Sequence, residues 1–520
     1  MRGFRPLLKK FARNEDGYFA ALFGLLAVSL TATAGAVVDY VNVQNTRAIV
    51  QQALDTTTLA LQPLILTKTE AQLKSQAQDL INQIAAVNGL TITIETADED
   101  ESAGILFLQA KIDIPLYFVS LVGIDNITAR IASQVTKKAT HQEIVLVLDN
   151  SGSMADYSRM TNLKTAAINA TNTLMANVSA TTDVKMGVVP FTSYVNVGKH
   201  NNAAAWMDVA GQNDIGNDNF DSDDDESTPY TGPVNRLSLY NQIGIDWMGC
   251  VEARAHYSTG TGKHLDTDDT TPTASNKNTQ FTPLFMPDER SNDANYANSY
   301  MSDTANSCPS VNGLSTRERQ ERLCKYSPQN TAYGSGPNDD CPATEILPLT
   351  DTKQDVIDQI NAMSASGGTN IHQGTIWGFR VLSPTQPFNE GGAYDDDLSK
   401  VMIIMTDGEN TTSASNNING AYWYSAYGYP WNGRLGAVGW TTSQLEAEMD
   451  NRTLESCANA KAEDITVYTI GLSPPNNSTR TMLETCATSS GHAYFPSVPS
   501  ELDAVFQAIA NEIVAARITQ

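Results

Sequence analysis

Glu143-Ile144-Val145-Leu146-Val147-Leu148-Asp149-Asn150-Ser151-Gly152-Ser153 joins an apolar run to a polar turn, and the rest of the chain is read outward from it. A continuous apolar run ending in a turn predicts a strand buried on both faces of a parallel sheet. In the turn, one carboxylate and two hydroxyls at alternate positions surround a single point. Hard divalent cations take such oxygen ligands, and magnesium is usually held by one or two carboxylates plus waters. Two later segments extend the set. Ser366-Gly367-Gly368-Thr369 offers a third hydroxyl on a glycine-rich loop. Val401-Met402-Ile403-Ile404-Met405-Thr406-Asp407-Gly408 repeats the order of apolar strand, aspartate and turn. Ligands of open α/β sheets sit beyond the carboxyl ends of the strands, where all three segments arrive.

The flanking sequence supplies the rest of such a sheet. Met160, Leu163, Ala167, Ala170, Leu174 and Val178 mark an amphipathic helix, and residues 184–190 a second strand. Helices are predicted at 355–363, 370–382 and 500–516, with a late strand at 465–471. Alternating strands and helices predict an α/β fold, a doubly wound parallel sheet with helices on both faces, over residues 139–520. Residues 198–345 interrupt the pattern. They are rich in Asn, Asp, Ser, Thr, Gly and Pro, have few apolar runs, and hold four of the six cysteines. So long a segment is no ordinary loop; it is expected to be a disulfide-stapled insertion near the end of the sheet that bears the aspartates. Within it, Asp221-Ser222-Asp223-Asp224-Asp225-Glu226 lacks the glycine and terminal glutamate of an EF-hand loop, which favours a solvated loop over a calcium site.

The D-x-S-x-S turn, distant Thr and distant Asp resemble the von Willebrand factor A domain with its metal-ion-dependent adhesion site, and all five positions match. The resemblance implies that Ser151, Ser153 and Thr369 coordinate a metal directly, with Asp149 and Asp407 acting mostly through water. It implies Mg2+ or Mn2+ as the ion. A cation ringed by neutral hydroxyls keeps charge for an incoming ligand, which in this family is a carboxylate of a protein partner.

Upstream, residues 18–38 hold no charge and are long enough to cross a bilayer as a helix. Arg2, Arg5, Lys9, Lys10 and Arg13 precede the stretch and Asp39 follows it. The positive-inside rule then leaves residues 1–17 in the cytoplasm and everything after Asp39 outside. The competing reading is a cleaved signal peptide, with Ala32-Thr33-Ala34 as its cleavage site. The length of the stretch and its continuation into helical sequence favour a retained anchor. Residues 39–138 read as a small α+β module: helix to Pro63, a second helix with Leu73, Ala77, Leu80, Ile81, Ile84 and Val87 on one face, then strands at 91–95, 105–114 and 127–135. Asp98-Glu99-Asp100-Glu101 is expected in the hairpin loop between the first two strands.

This N-terminal order resembles the TadE/TadG-like proteins of bacterial Flp (Tad) pilus assembly. Local matches are Asn14-Glu15-Asp16-Gly17-Tyr18-Phe19-Ala20, Val38-Asp39-Tyr40 and Leu54-Asp55-Thr56-Thr57-Thr58-Leu59-Ala60, with Gly249-Cys250-Val251-Glu252 and Trp377-Gly378 later. Leu22 stands where pilin-like members that are cut after a glycine carry Glu. The resemblance implies a TadG-like factor in the inner membrane, with its C-terminal part in the periplasm or outside and pilus or pilus-assembly components as partners.

The chain carries a net charge of −25. That excess argues against nucleic acid as a partner. Six cysteines in an exported part predict disulfides, and they allow 15 pairings. Cys457 and Cys486 lie in helices flanking the 465–471 strand and are expected to pair. Cys250 with Cys341 would pin the insertion to the domain, leaving Cys308 with Cys324 as a nested loop. No Cys/His cluster has zinc spacing, and the six histidines are scattered singly. No H-E-x-x-H, G-x-S-x-G elbow or Walker loop is present. The residues therefore favour a binding factor over a metal-assisted hydrolase. A passive scaffold with a fold-stabilising metal is the alternative.

Overall fold

The structure is a computed structural model. It describes residues 16–65, 68–87, 90–100, 105–136, 141–176, 184–222, 232–289, 298–303, 307–310, 312–330, 336–394 and 398–519. The basic residues at 2–13, Glu101 and the acidic run at 223–226 lie outside these. The chain divides into two compact units, one formed by Met1–Ala139 and the other by Thr140–Val178 with Asp183–Gln520.

In the first unit, α1 (Asp16–Leu61) is one continuous helix, and α2 (Glu70–Val87) follows it. The antiparallel sheet β1 (Ile92–Asp100), β2 (Ile105–Pro115) and β3 (Asn126–Thr136) keeps that order. Val50, Leu54 and Leu61 of α1 and Leu73, Ala77 and Ile81 of α2 bury one face of the sheet against Leu106, Leu108 and Ile112. The N-terminal part of α1 is apolar and uncovered: Phe23, Val28 and Leu30 are 72, 70 and 68% exposed. This is a helix long and apolar enough to cross a membrane. Near the end of the bare stretch, Asp39 accepts the backbone N–H groups of Tyr117, Phe118 and Val119 at 3.0, 2.8 and 2.8 Å.

The acidic run does not form the expected hairpin loop. Asp98, Glu99 and Asp100 pair with Phe107, Leu106 and Ile105 inside the β1–β2 ladder. A bulge between Ile94 and Thr96 is the reason. It moves the inward phase from Ile92 and Ile94 to Ala97, so the strand continues with its acids at the edge of the core.

The second unit is built on a six-stranded sheet. Its elements are β4 (His141–Asp149), α3 (Arg159–Leu174) and β5 (Val184–Phe191). β6 (Val195–Asn196) follows, and then the insertion, with α4 (Arg236–Ile243), β7 (Cys250–Val251) and α5 (Thr316–Glu321). After it come β8 (Leu347–Thr350), α6 (Lys353–Ala362), α7 (Ile371–Leu382) and β9 (Leu398–Thr406). The chain closes with α8 (Thr442–Ala462), β10 (Thr466–Gly471), α9 (Asn477–Cys486), β11 (Ala493–Tyr494) and α10 (Leu502–Thr519).

The strand order is β11-β10-β9-β4-β5-β8. The chain winds from β4 to one edge and then returns to fill the other side, so strand order reverses beside β4. Neighbours are parallel except β8, which runs antiparallel to β5. The sheet is thus not wholly parallel as expected: the insertion returns the chain to the edge from the opposite direction. Alternation along β4 feeds two cores. Ile144, Leu146 and Leu148 join α3, α6 and α10 on one face, and Val145 and Val147 join α7, α8 and α9 on the other.

The insertion is a packed layer, not a surface excursion. Trp206, Met207, Phe220, Tyr240, Phe281, Phe285 and Tyr326 share one core with α7, whose twelve residues are all buried. Phe281 and Trp377 meet with centroids 4.8 Å apart. Disulfides join Cys250 to Cys341, Cys308 to Cys324 and Cys457 to Cys486. At the centre of the layer, Glu252 is 1% exposed. It accepts from Arg236, from Arg434 at 2.6 Å and from the Tyr424 hydroxyl at 2.5 Å.

Candidate metal centre

Three segments meet beyond the carboxyl ends of β4 and β9. The loop after β4 is tied to the Ser366–Thr369 loop by backbone hydrogen bonds, Gly152 N to Gly367 O at 2.9 Å and Ser366 N to Asn150 O at 2.9 Å. Asn150 N also donates to Phe191 O at 3.0 Å, so the end of β5 braces the turn.

Asp149 is wholly buried, and both its oxygens are held. Oδ1 accepts Ser151 N at 2.8 Å, and Oδ2 accepts the Thr406 hydroxyl at 2.7 Å. The Ser151 and Ser153 hydroxyls lie 3.2 Å apart, and Ser153 Oγ donates to Asp407 Oδ1 at 2.7 Å. Thr369 is fixed by exchange with Thr411, whose hydroxyl accepts Thr369 N at 2.8 Å and whose N–H donates to Thr369 O at 2.9 Å. Its hydroxyl and that of Ser153 flank Gly408, where an added Cβ would stand 3.6 and 3.9 Å from them. The structure thus gathers Asp149, Ser151, Ser153, Thr369 and Asp407 into one oxygen-lined cluster.

Two neighbours were not singled out in the sequence. Thr406 orients Asp149 from the adjacent strand. Arg159 donates to Asp407 Oδ2 at 2.6 Å and to Ser153 O at 3.2 Å. A cation in the first turn of a helix opposes the helix dipole, and that mismatch was the available signal. Before it, Tyr157 and Ser158 have φ of 50° and 60°. Consecutive left-handed non-glycine residues are strained and mark functional loops. Tyr157 is 82% exposed beside the cluster.

The electrostatics fit a cation. Burial, then the charge of Asp407, pushes the Asp149 carboxyl up to about 6. A divalent ion would relieve both causes. The donors are all oxygen, as hard ions require. The disulfide cysteines take no part in the cluster.

No protein-family profile matches the chain, and no curated protein matches it. Solved structures similar to it include the pilus adhesin SpaC from Lactobacillus rhamnosus GG, at 12% identity and TM-score 0.33 over 81% of this chain and 34% of that one. The chain therefore spans about a third of that adhesin. The vWF domain of the type V pili tip protein Mfa5 from Porphyromonas gingivalis is 11% identical, with TM-score 0.34, over 72% of this chain and 96% of its own. Proximal thread matrix protein 1 from the mussel byssus, with a zinc-occupied MIDAS motif, is 13% identical at TM-score 0.29, over 71% of this chain and 47% of that one.

Proposed function

We propose that the chain is a membrane-anchored, metal-dependent protein-binding factor of the von Willebrand factor A type, serving adhesion or assembly in an Flp/Tad-like pilus system. The observation that carries this reading is the convergence of two carboxylates and three hydroxyls where strand order reverses beside β4. Ser151, Ser153 and Thr369, backed by Asp149 and Asp407, would hold Mg2+ or Mn2+, and the bound ion would supply an open coordination position for a partner's Asp or Glu carboxylate. Arg159 and the exposed Tyr157 add a cationic and an aromatic group to the rim, a composition enriched at protein interfaces. Ser151 Oγ faces another hydroxyl at 3.2 Å, which suits a ligand role better than that of an activated nucleophile. The bare apolar part of α1, with the paired Asp39 near its end, supports a single retained span in the inner membrane, with residues 39–138 as a module beside it and the metal-bearing domain on the far side.

Calorimetric titration of the full chain in detergent tests the site. The wild type should bind one Mg2+ or Mn2+, and Asp149→Ala should bind none while keeping its near-ultraviolet dichroism. Unchanged affinity in the variant would sink the assignment. Retention of a purified pilus component in Mg2+, lost on chelation, would separate a binding factor from a passive scaffold.

A further inference from the structure

Two histidines that stand apart in the insertion sequence meet in space. The rings of His256 and His264 stack with centroids 3.7 Å apart and planes at 17°. The chain between them doubles back: Ser258 and His264 form an antiparallel bridge, and Leu265 N donates to Tyr257 O at 3.1 Å. Gly260 and Gly262 turn the segment at φ of +82° and +83°, a conformation open to glycine without steric cost. From α8, Glu455 reaches the pair, its Oε1 meeting His264 Nδ1 at 2.6 Å and the Thr267 hydroxyl at 2.9 Å. His256 Nδ1 meets Asp266 Oδ1 at 2.7 Å, and the other oxygen of that buried carboxylate takes Arg452 Nη1 at 2.8 Å. One nitrogen from each ring and one Glu455 oxygen lie within 4.8 Å of one another.

We propose that His256, His264 and Glu455 bind a divalent transition-metal ion of the zinc class, which clasps the insertion onto α8. Two imidazoles and one carboxylate are the donors of borderline ions such as Zn2+, whereas Mg2+ and Ca2+ prefer oxygen. Asp266 completes the arrangement from behind. A carboxylate on one ring nitrogen fixes the tautomer and leaves the other nitrogen as the ligand. Asp266 is itself buried and held in place by Arg452, so the His256 ring is braced from behind. Nε2 of both rings makes no hydrogen bond among the described residues; His256 would ligate through Nε2, and His264 through Nδ1 once the ion takes the place of its contact with Glu455 Oε1. A tetrahedral ion needs donors about 3.4 Å apart, given metal–nitrogen distances near 2.0–2.1 Å. The three side chains are 27, 30 and 28% exposed, and binding would turn the two rings out of their parallel stack so that their lone pairs meet at the ion. Three protein donors leave a fourth position for water.

The site is separate from the oxygen cluster, and the test keeps the two apart. The full chain in detergent, saturated with Mg2+, is titrated with Zn2+ by calorimetry, and Co2+ is used as a spectroscopic probe. One Zn2+ per chain should bind, and Asp149→Ala should bind it equally well. His264→Ala should abolish binding. Glu455→Gln, which preserves the side chain's shape but removes the charged donor, should weaken it about 10-fold or more. Co2+ should give the intense visible bands of a tetrahedral nitrogen–oxygen site, absent in His256→Ala. Dichroism and melting curves check that each variant is folded. Absence of zinc binding in excess Mg2+ would overturn the proposal. So would binding that survives His264→Ala in a folded protein, or that disappears with Asp149→Ala alone.

Discussion

Asp149 spends its hydrogen bonds on shaping the turn, one oxygen on Ser151 N and the other on Thr406, yet remains costly as a buried anion. A carboxyl pushed up to about 6 is ionised at pH 7 at a cost on the order of 2–3 kcal/mol relative to an exposed one. Asp149→Asn should therefore abolish Mg2+ binding without lowering the melting temperature of the metal-free protein. A drop of several degrees would show that the carboxylate stabilises the fold without the ion. Glu252 is the opposite case, a buried anion with cationic partners. Glu252→Ala leaves Arg236 and Arg434 facing each other across a hole. It should cost about 3–5 kcal/mol, read as a lower denaturant midpoint. A loss under 1 kcal/mol would mean the arginines find other partners. The oxygen-bearing residues could be read from the chain because each sits at a strand end or in a glycine-rich turn. Arg159, Thr406 and the His256–His264–Glu455 group could not be read so, because their partners are set by tertiary packing and not by spacing.

Among the elements, α7 shows most plainly where pattern reading stops. Its apolar positions mark a helix, but Gln373, Thr375 and Arg380 are buried with the rest. The insertion covers the helix: Arg380 donates to Leu265 O at 3.1 Å and to Asp268 O at 3.3 Å, and His372 Nε2 meets Asp266 O at 2.9 Å. The covering layer left little periodic trace because much of its core is made of aromatic residues in irregular segments, such as Phe220, Phe281 and Phe285. The antiparallel run of β8 is equally local, four residues at an edge where either direction satisfies the backbone. Burial is the main reason the His372 ring is held down to about 3. The unfolded chain takes up a proton as pH falls through about 6.5, while the native ring stays neutral, so this contribution is complete above that value and drains away from there toward pH 3. His372→Gln should lower stability at pH 7.5 and flatten the fall in melting temperature between pH 7 and 4. Parallel curves for the two proteins would show that the buried ring does not govern acid sensitivity.

For the whole molecule, the open question of topology has a direct measurement. A reporter active only outside the cytoplasm, fused after Gln520, should be active, and the full chain should stay with the membrane through a carbonate wash, since screening charge does not release a spanning helix. Release of a product beginning at Gly35 would show cleavage instead. The place of β4 in the sheet also bears on mechanics. Its first residue, His141, stands near the start of the second unit, and its last, Asp149, opens the candidate ligand site. On the proposed function, tension between an anchored N-terminus and a ligand held there would run along the strand axis. β4 is bonded on both sides, to β5 over eight residue pairs from Gln142↔Val184 to Asp149↔Phe191 and to β9 over eight from His141↔Leu398 to Leu148↔Met405. Pulling along the axis shears all of these together, where a hairpin pulled from its open end would unzip one bond at a time. The strand that positions the site is thus also the member best placed to bear the load of whatever the site holds.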